Sequence, residues 1–159
     1  PYAVSKRMAE EFLIDNYSSI SWILRLAPVY SKVFLLNIDR RTKVFNKYYK
    51  VGSGNRMLSL CNVKNISLTI NGIINNNVPS GVYNISDTKY YTYNDLLKFQ
   101  SANHSISIPA LIIWLLYYFG ILIKNNFLIE NSIKLFTDNV YPPRKLSENI
   151  KLDYDLSDL

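Results

Sequence analysis

The sequence holds one cysteine, Cys61, and one histidine, His104. A single thiol excludes an internal disulfide and suits a reducing compartment, so a cytoplasmic protein is expected. Cys61 stands in an apolar stretch, where a small core residue is the expectation. His104 has no Cys or His neighbour at ligand spacing, so no His/Cys metal site is expected. Charge of one sign never runs to five residues, although 18 Lys and Arg against 12 Asp and Glu leave a net charge of +6. That scatter argues against nucleic acid as a partner. It leaves a solvated basic surface, or a surface for a small anion. No signal peptide is expected ahead of Pro1.

Glycine is scarce as well. The five glycines are Gly52, Gly54, Gly72, Gly81 and Gly120, and they do not form G-x-G-x-x-G. Gly52-Ser53-Gly54 has Met57 where the third glycine would fall. A complete dinucleotide fingerprint is therefore absent from these 159 residues.

What remains is a globular composition, 48% hydrophobic and 19% charged, long enough for one domain with a sizeable core. Tyr2 to Tyr17 predicts an amphipathic helix, with Val4, Met8 and Phe12 four apart. Ser19 to Tyr30 (SISWILRLAPVY) predicts a buried strand ending at Pro28. Ser31 to Lys50 is ambiguous. VGSGNRMLSLCNV predicts a glycine turn and a short strand, after which Asn62 caps a helix with Ile66, Ile70 and Ile73 on one face. A Pro-Ser-Gly turn leads to a strand from Val82 to Ile85. Thr92 to Asp95 reads as a capping box opening a short helix to about Phe99. Helix and strand alternate, so the expected class is α/β.

One segment strains the soluble picture. Ile108 to Ile123 (IPALIIWLLYYFGILI) is continuously apolar for about the length of a short membrane span. Pro109 and Gly120 lie near its ends and Lys124 closes it. A buried or interface helix is expected, with membrane contact through 108–123 as the alternative.

The chemistry-bearing pair is Tyr2 and Lys6. In a chain of 13 tyrosines and 18 lysines and arginines, about one Tyr-x-x-x-Lys match arises by chance. A second match, Tyr141 to Lys145, has Pro142 and Pro143 inside it and cannot be a regular helical pair. Nothing between Tyr2 and Lys6 breaks a helix, so they share a face one turn apart. A free phenol titrates near 10, too high for a base at neutral pH. A neighbouring ammonium lowers it. Such a tyrosine can move a proton on and off a sugar hydroxyl. The plainer alternative is an exposed first turn.

The landmarks after the pair stand in a characteristic order: PYAVSKRMAEEFL, SWILRLAPVY, VGSGNRMLSLCNV and GVYNISD. In this order they resemble the extended short-chain dehydrogenase/reductase family of NAD-dependent nucleotide-sugar epimerases and dehydratases. The likeness runs from residue 1 to about 100, and more loosely through LFTDNVYPPRKL in the tail. The wording looks most similar to bacterial nucleotide-sugar epimerases or 4-keto reductases of surface-polysaccharide pathways, of the UDP-glucose 4-epimerase kind.

The resemblance implies roles. Tyr2 would be the acid/base. Lys6 would hold the nicotinamide ribose and lower the pKa of Tyr2. Pro28 would lie beside the nicotinamide, Arg56 would grip the diphosphate of the nucleotide-sugar, and Arg144 would be a second phosphate contact. The plainer reading of Arg56 is a loop arginine in solvent. The implied cofactor is NAD or NADP, and the parent enzyme can be a homodimer. Residues 1–30 would end a Rossmann-like domain, carrying the catalytic helix and the following strand. Residues 31–159 would mainly bind the nucleotide-sugar, with 62–86 returning to the Rossmann-like sheet.

Three departures stand out. Val29-Tyr30 is followed by Ser31-Lys32 where the family has Gly-Pro. Asn62-Val63-Lys64-Asn65 replaces a Val-Asp-Asp pattern. The Gly-rich turn and the Ser/Thr that precedes the tyrosine are missing. The chain is therefore read as the C-terminal half of such an enzyme. A truncated, non-catalytic nucleotide-sugar-binding relative is the alternative.

Overall fold

The computed structural model describes residues 2–159, with side chains from Val4 onward. The chain opens with α1 (Tyr2–Tyr17), at the bounds its periodicity predicts. Then come β1 (Trp22–Leu26), β2 (Val29–Tyr30) and α2 (Leu36–Thr42). A hairpin of β3 (Lys43–Val44) and β4 (Lys47–Val51) follows. Its two-residue loop has Phe45 and Asn46 at φ of 48° and 61°, as tight hairpins with a right-handed twist require. β5 (Met57–Leu58), β6 (Cys61–Asn62), α3 (Val63–Ile74), β7 (Gly81–Ile85), β8 (Tyr91–Thr92) and α4 (Tyr93–Phe99) come next. β9 (Ile106–Ile108), α5 (Ala110–Leu122), α6 (Asn126–Phe136), the single turn α7 (Arg144–Ser147) and a 3-10 turn at Leu156–Asp158 complete the order.

The fold is α/β. β1 pairs with β7 and β2 with β6, both parallel, and parallel partners need crossover connections of this length. β4 also pairs in parallel with β9. The strand expected over Ser19 to Tyr30 is in fact two. Ala27 donates its N–H to Ile85 O, and the Pro28 carbonyl accepts from Cys61 N–H, both at 3.0 Å. The chain thus changes partner at Ala27-Pro28, and proline, lacking an N–H, sits where the ladder is interrupted. Arg25 and Leu26 are exposed rather than buried.

Local signals hold where they are strong. Asn62 caps α3, its side chain accepting from Lys64 N–H at 3.1 Å. Thr92 and Asp95 form a reciprocal capping box on α4. The Thr92 N–H and hydroxyl both reach the Asp95 carboxylate and hold it below the usual carboxylate range. Thr92→Ala should cost about 1 kcal/mol, measured as a drop in urea midpoint. An Asp with a depressed folded pKa stabilises above its unfolded value, and that contribution fades as pH falls through the folded one. The penalty of Thr92→Ala should therefore shrink below about pH 4.

The face predicted for α3 is displaced. Asn65, Thr69 and Gly72 are its fully buried residues, while Ile70 is exposed and Ile66 and Ile73 pack at the side. The reason is a buried polar hub. Asp87, just past β7, is fully buried. Its carboxylate accepts from Tyr30 OH at 2.6 Å, Tyr91 OH at 2.8 Å, Asn62 N–H at 2.7 Å and Asn65 Nδ2 at 3.0 Å. Asn65 also donates to Tyr154 O, Asn62 to Asp155 O, and the Tyr91 oxygen accepts from Leu156 N–H. Burial pushes the Asp87 carboxyl above its usual range, outweighing the four hydrogen bonds that favour its charged form. Cys61 is buried and packs in the core as expected; burial first, and then the charge of Asp87, push its thiol up to about 12.

Helix α5 is not buried within this chain. Of its 13 residues only Ile113 and Gly120 are buried. Leu111, Leu115, Tyr118 and Leu122 are at least 61% exposed. Its one well-covered side lies on α6, where Gly120 allows close approach: a Cβ there would stand 3.0 Å from Leu128 Cβ and 3.2 Å from Ile129 N. Among the described residues no helix is long and apolar enough to cross a membrane. α1 likewise exposes Val4, Met8 and Phe12, each at least 57%; an ion pair from Glu10 to Arg25 ties it to β1.

Candidate functional site

The turn after β4 is built to hold a loop in place. Gly52 and Gly54 take φ of 56° and 75°, which side-chain-bearing residues rarely adopt. Gly54 N–H closes the turn on Val51 O at 3.0 Å. Asn94, the second residue of α4, clamps it from outside. Its Nδ2 donates to Ser53 O and Asn55 Oδ1 at 2.9 Å each, and its Oδ1 accepts from Lys50 Nζ at 3.1 Å. A Cβ on Gly54 would lie 2.6 Å from that Oδ1. The next residues carry Arg56 to the start of β5.

From the other side comes the segment after α6. Met57 N–H donates to Asp138 Oδ1, Asn139 N–H to Met57 O and Ser59 N–H to Asn139 O, all within 2.9 Å. This segment thus lies along β5, bridged in parallel between Leu58 and Asn139. Between turn and tail opens a cleft of about 490 Å³. Arg56, Ser53 and Asn55 stand on one side of it and Asp138 on the other. Its apolar wall is Trp114 of α5 stacked on Phe136 of α6, with centroids 4.5 Å apart and planes 13° from parallel. A guanidinium beside a flat aromatic wall suits a ligand with an anionic and a planar part.

A second cleft, of about 370 Å³, lies across α6. Leu135 lines both. Pro28 lines the second, its carbonyl accepting from Cys61 N–H. Tyr49 and Tyr93 line it, as do Arg40 and Arg41 of α2 and Lys134 of α6. Burial pushes the Tyr49 phenol up to about 12, against the lowering effect of Arg41. The same two influences act on Tyr93, and burial again prevails.

The sequence-predicted residues are distributed as follows. Arg56 and Pro28 line adjoining clefts on either side of α6. Lys6 is exposed on α1 and lines neither. The side chain of Tyr2 lies outside the described residues. Arg144 is exposed at the first residue of α7 and lines neither cleft. Sequence reasoning missed Asn94, which lies inside the capping box it recognised, and Trp114, which it read only as part of an apolar run. It also missed Arg40, Arg41 and Lys134, which only tertiary folding brings together.

No family profile and no curated protein matches the sequence. Solved structures do match in fold. UDP-N-acetylglucosamine 4-epimerase from Bacillus cereus is 16% identical, with a TM-score of 0.58 over 98% of this chain and 52% of that one. The Bordetella bronchiseptica enzyme WbmG, in complex with NAD and UDP, is 16% identical with a TM-score of 0.55, over 97% and 45%. A human epimerase family protein with NADPH also gives 0.55 at 16% identity, over 85% and 45%. The chain thus spans about half the length of these structures. Its α/β fold is like that of the matching part of these Rossmann-like epimerase structures.

Proposed function

We propose that this chain is the substrate side of an NAD(P)-dependent nucleotide-sugar epimerase, dehydratase or reductase, and that the Arg56 cleft takes the nucleoside diphosphate. The observation that carries this reading is the adjacency of the Pro28 and Arg56 clefts across one helix. A ligand with its sugar at Pro28 would have its diphosphate within reach of Arg56. The guanidinium binds phosphate oxygens in pairs, and the Trp114–Phe136 wall offers the base a flat apolar surface. Tyr2 would move the proton at the sugar hydroxyl, Lys6 would lower the pKa of Tyr2, and Arg144 would contact phosphate from the tail. The parallel pairing of β1 with β7 supports the view that 62–86 returns to the sheet that 1–30 belongs to.

Dinucleotide binding is a different matter. Among the described residues the strand-to-helix steps run through Ser31 to Leu35, Asn62-Val63, Thr92-Tyr93 and Pro109, none with a glycine. Gly52 and Gly54 lie between two strands, β4 and β5. A pyrophosphate needs backbone N–H groups at a Gly-opened helix start, and these residues do not fit one. Lys6 and Pro28 would meet only the nicotinamide end.

The test is titration of the chain with a panel of nucleoside diphosphates, followed by calorimetry. At least one should bind saturably, and Arg56→Gln should weaken it at least tenfold, the loss of a charge-assisted phosphate contact. Absence of saturation by every member up to millimolar concentration refutes the reading.

A further inference from the structure

The Pro28 cleft carries a charge pattern that an uncharged sugar does not need. Arg40, Arg41 and Lys134 line it, and no carboxylate does. The acid nearest in sequence, Asp39, is occupied: it accepts from Lys43 Nζ at 2.7 Å and Gln100 Nε2 at 2.6 Å. Among the described residues none of the three cations forms an ion pair with a carboxylate. Arg41 is half-buried against Tyr93, where a guanidinium is less well solvated than in open water. Arg40 and Lys134 are exposed, so water screens part of the repulsion among three like charges lining one cleft; an anion bound there lessens the rest and accepts from them. Pro28, Tyr49, Tyr93 and Phe127 add apolar surface for a ring. The cleft therefore suits a ring that bears an acid.

We propose that the Pro28 cleft holds a sugar acid, so that the ligand is a nucleoside diphosphate linked to a hexuronic acid whose carboxylate is gripped by Arg40, Arg41 and Lys134. This rests on the nucleotide-sugar reading of the neighbouring Arg56 cleft and narrows it. Arg40 and Arg41 stand in the last turn of α2, where the helix dipole favours cations. That accounts for two of the charges. It does not account for Lys134, which a different helix brings to the same space.

The experiment compares UDP-glucuronate, UDP-glucose, UDP and inorganic phosphate by calorimetry on the full chain. UDP-glucuronate should bind at least tenfold more tightly than UDP-glucose. The double variant Arg40→Gln/Arg41→Gln should erase that preference. Arg41 contacts Tyr93, so Lys134→Gln serves as a second variant on another element, with an expected threefold or greater loss of the preference. Circular dichroism confirms that each variant is folded. Equal affinity for the two sugars, or a preference that survives both variants, overturns the sugar-acid proposal alone. Displacement of UDP-glucuronate by millimolar phosphate down to the affinity of UDP-glucose also overturns it, marking the cleft as a phosphate site. Failure of all three uridine compounds to bind overturns both this proposal and its uridine-diphosphate premise.

Discussion

Asp87→Ala should destabilise the chain by about 4 kcal/mol, read as a shift in the urea midpoint at pH 7. The side chain accepts four hydrogen bonds in full burial. Alanine leaves two phenols, a side-chain amide and a backbone N–H without that acceptor. Each unmade bond to a buried donor costs about 1–3 kcal/mol, and the two phenols recover part by rotating. Domains of this size are stable by only about 5–15 kcal/mol, so most of the margin goes. Asp87→Asn keeps the shape and one acceptor oxygen, and should cost about half as much. The pair of variants also reports charge. Because the folded carboxyl titrates above its unfolded value near 4, the folded state holds more protons than the unfolded one between those two values. Stability therefore falls as pH rises through that window. Asp87→Asn should flatten the slope, while Asp95 and Asp155, whose carboxyls are held low by hydrogen bonds from Thr92 and Ser157, keep theirs at more acid pH. An unchanged slope in Asp87→Asn would count against the raised carboxyl.

Gly120→Val should cost about 3 kcal/mol and remove ligand binding from both clefts. The glycine is where α5 touches α6, and the atoms a Cβ meets first include the backbone nitrogen of Ile129. Backbone cannot rotate out of the way, so the helices must part, and overpacking of this kind costs about 1–3 kcal/mol. The β-branched side chain adds a few tenths in helix propensity. Parting moves α6, which carries Phe136 to one cleft, Lys134 to the other and Leu135 to both. It also breaks the Trp114–Phe136 stack, so tryptophan fluorescence should change with the same midpoint as nucleotide affinity. Native-like fluorescence and affinity in Gly120→Val would show that the α5–α6 contact does not set the clefts.

What could be read in the sequence was local. The bounds of α1, the Asn62 cap and the Thr92–Asp95 box each depend on residues within a turn or two, and side-chain chemistry there is decisive. The strand over Ser19 to Tyr30 was misjudged because its division depends on two separate partners, β7 and β6, some thirty to sixty positions away. Periodicity cannot detect β2 or β6 at all, since two residues have no period. The apolar run of α5 invited burial, yet nothing among the described residues covers most of it. Pro28 and Arg56, singled out through ordered landmarks, each line one of the two clefts. Arg40, Arg41 and Lys134 were not singled out, because the residues that make their cleft come from α2 and α6, and only packing joins them.

The hub around Asp87 also has a consequence in time. Asn65 meets Tyr154 across 89 residues, Asn62 meets Asp155 across 93, and Tyr91 meets Leu156 across 65. Loop closure over such distances is entropically costly and slow. A nascent chain that has reached residue 150 holds Asp87 and its four donors, but lacks the strap that shields them. Its core polar groups stay open to water until residues 154–156 have been made. Docking of residues 154–156 is thus the step that seals this interior.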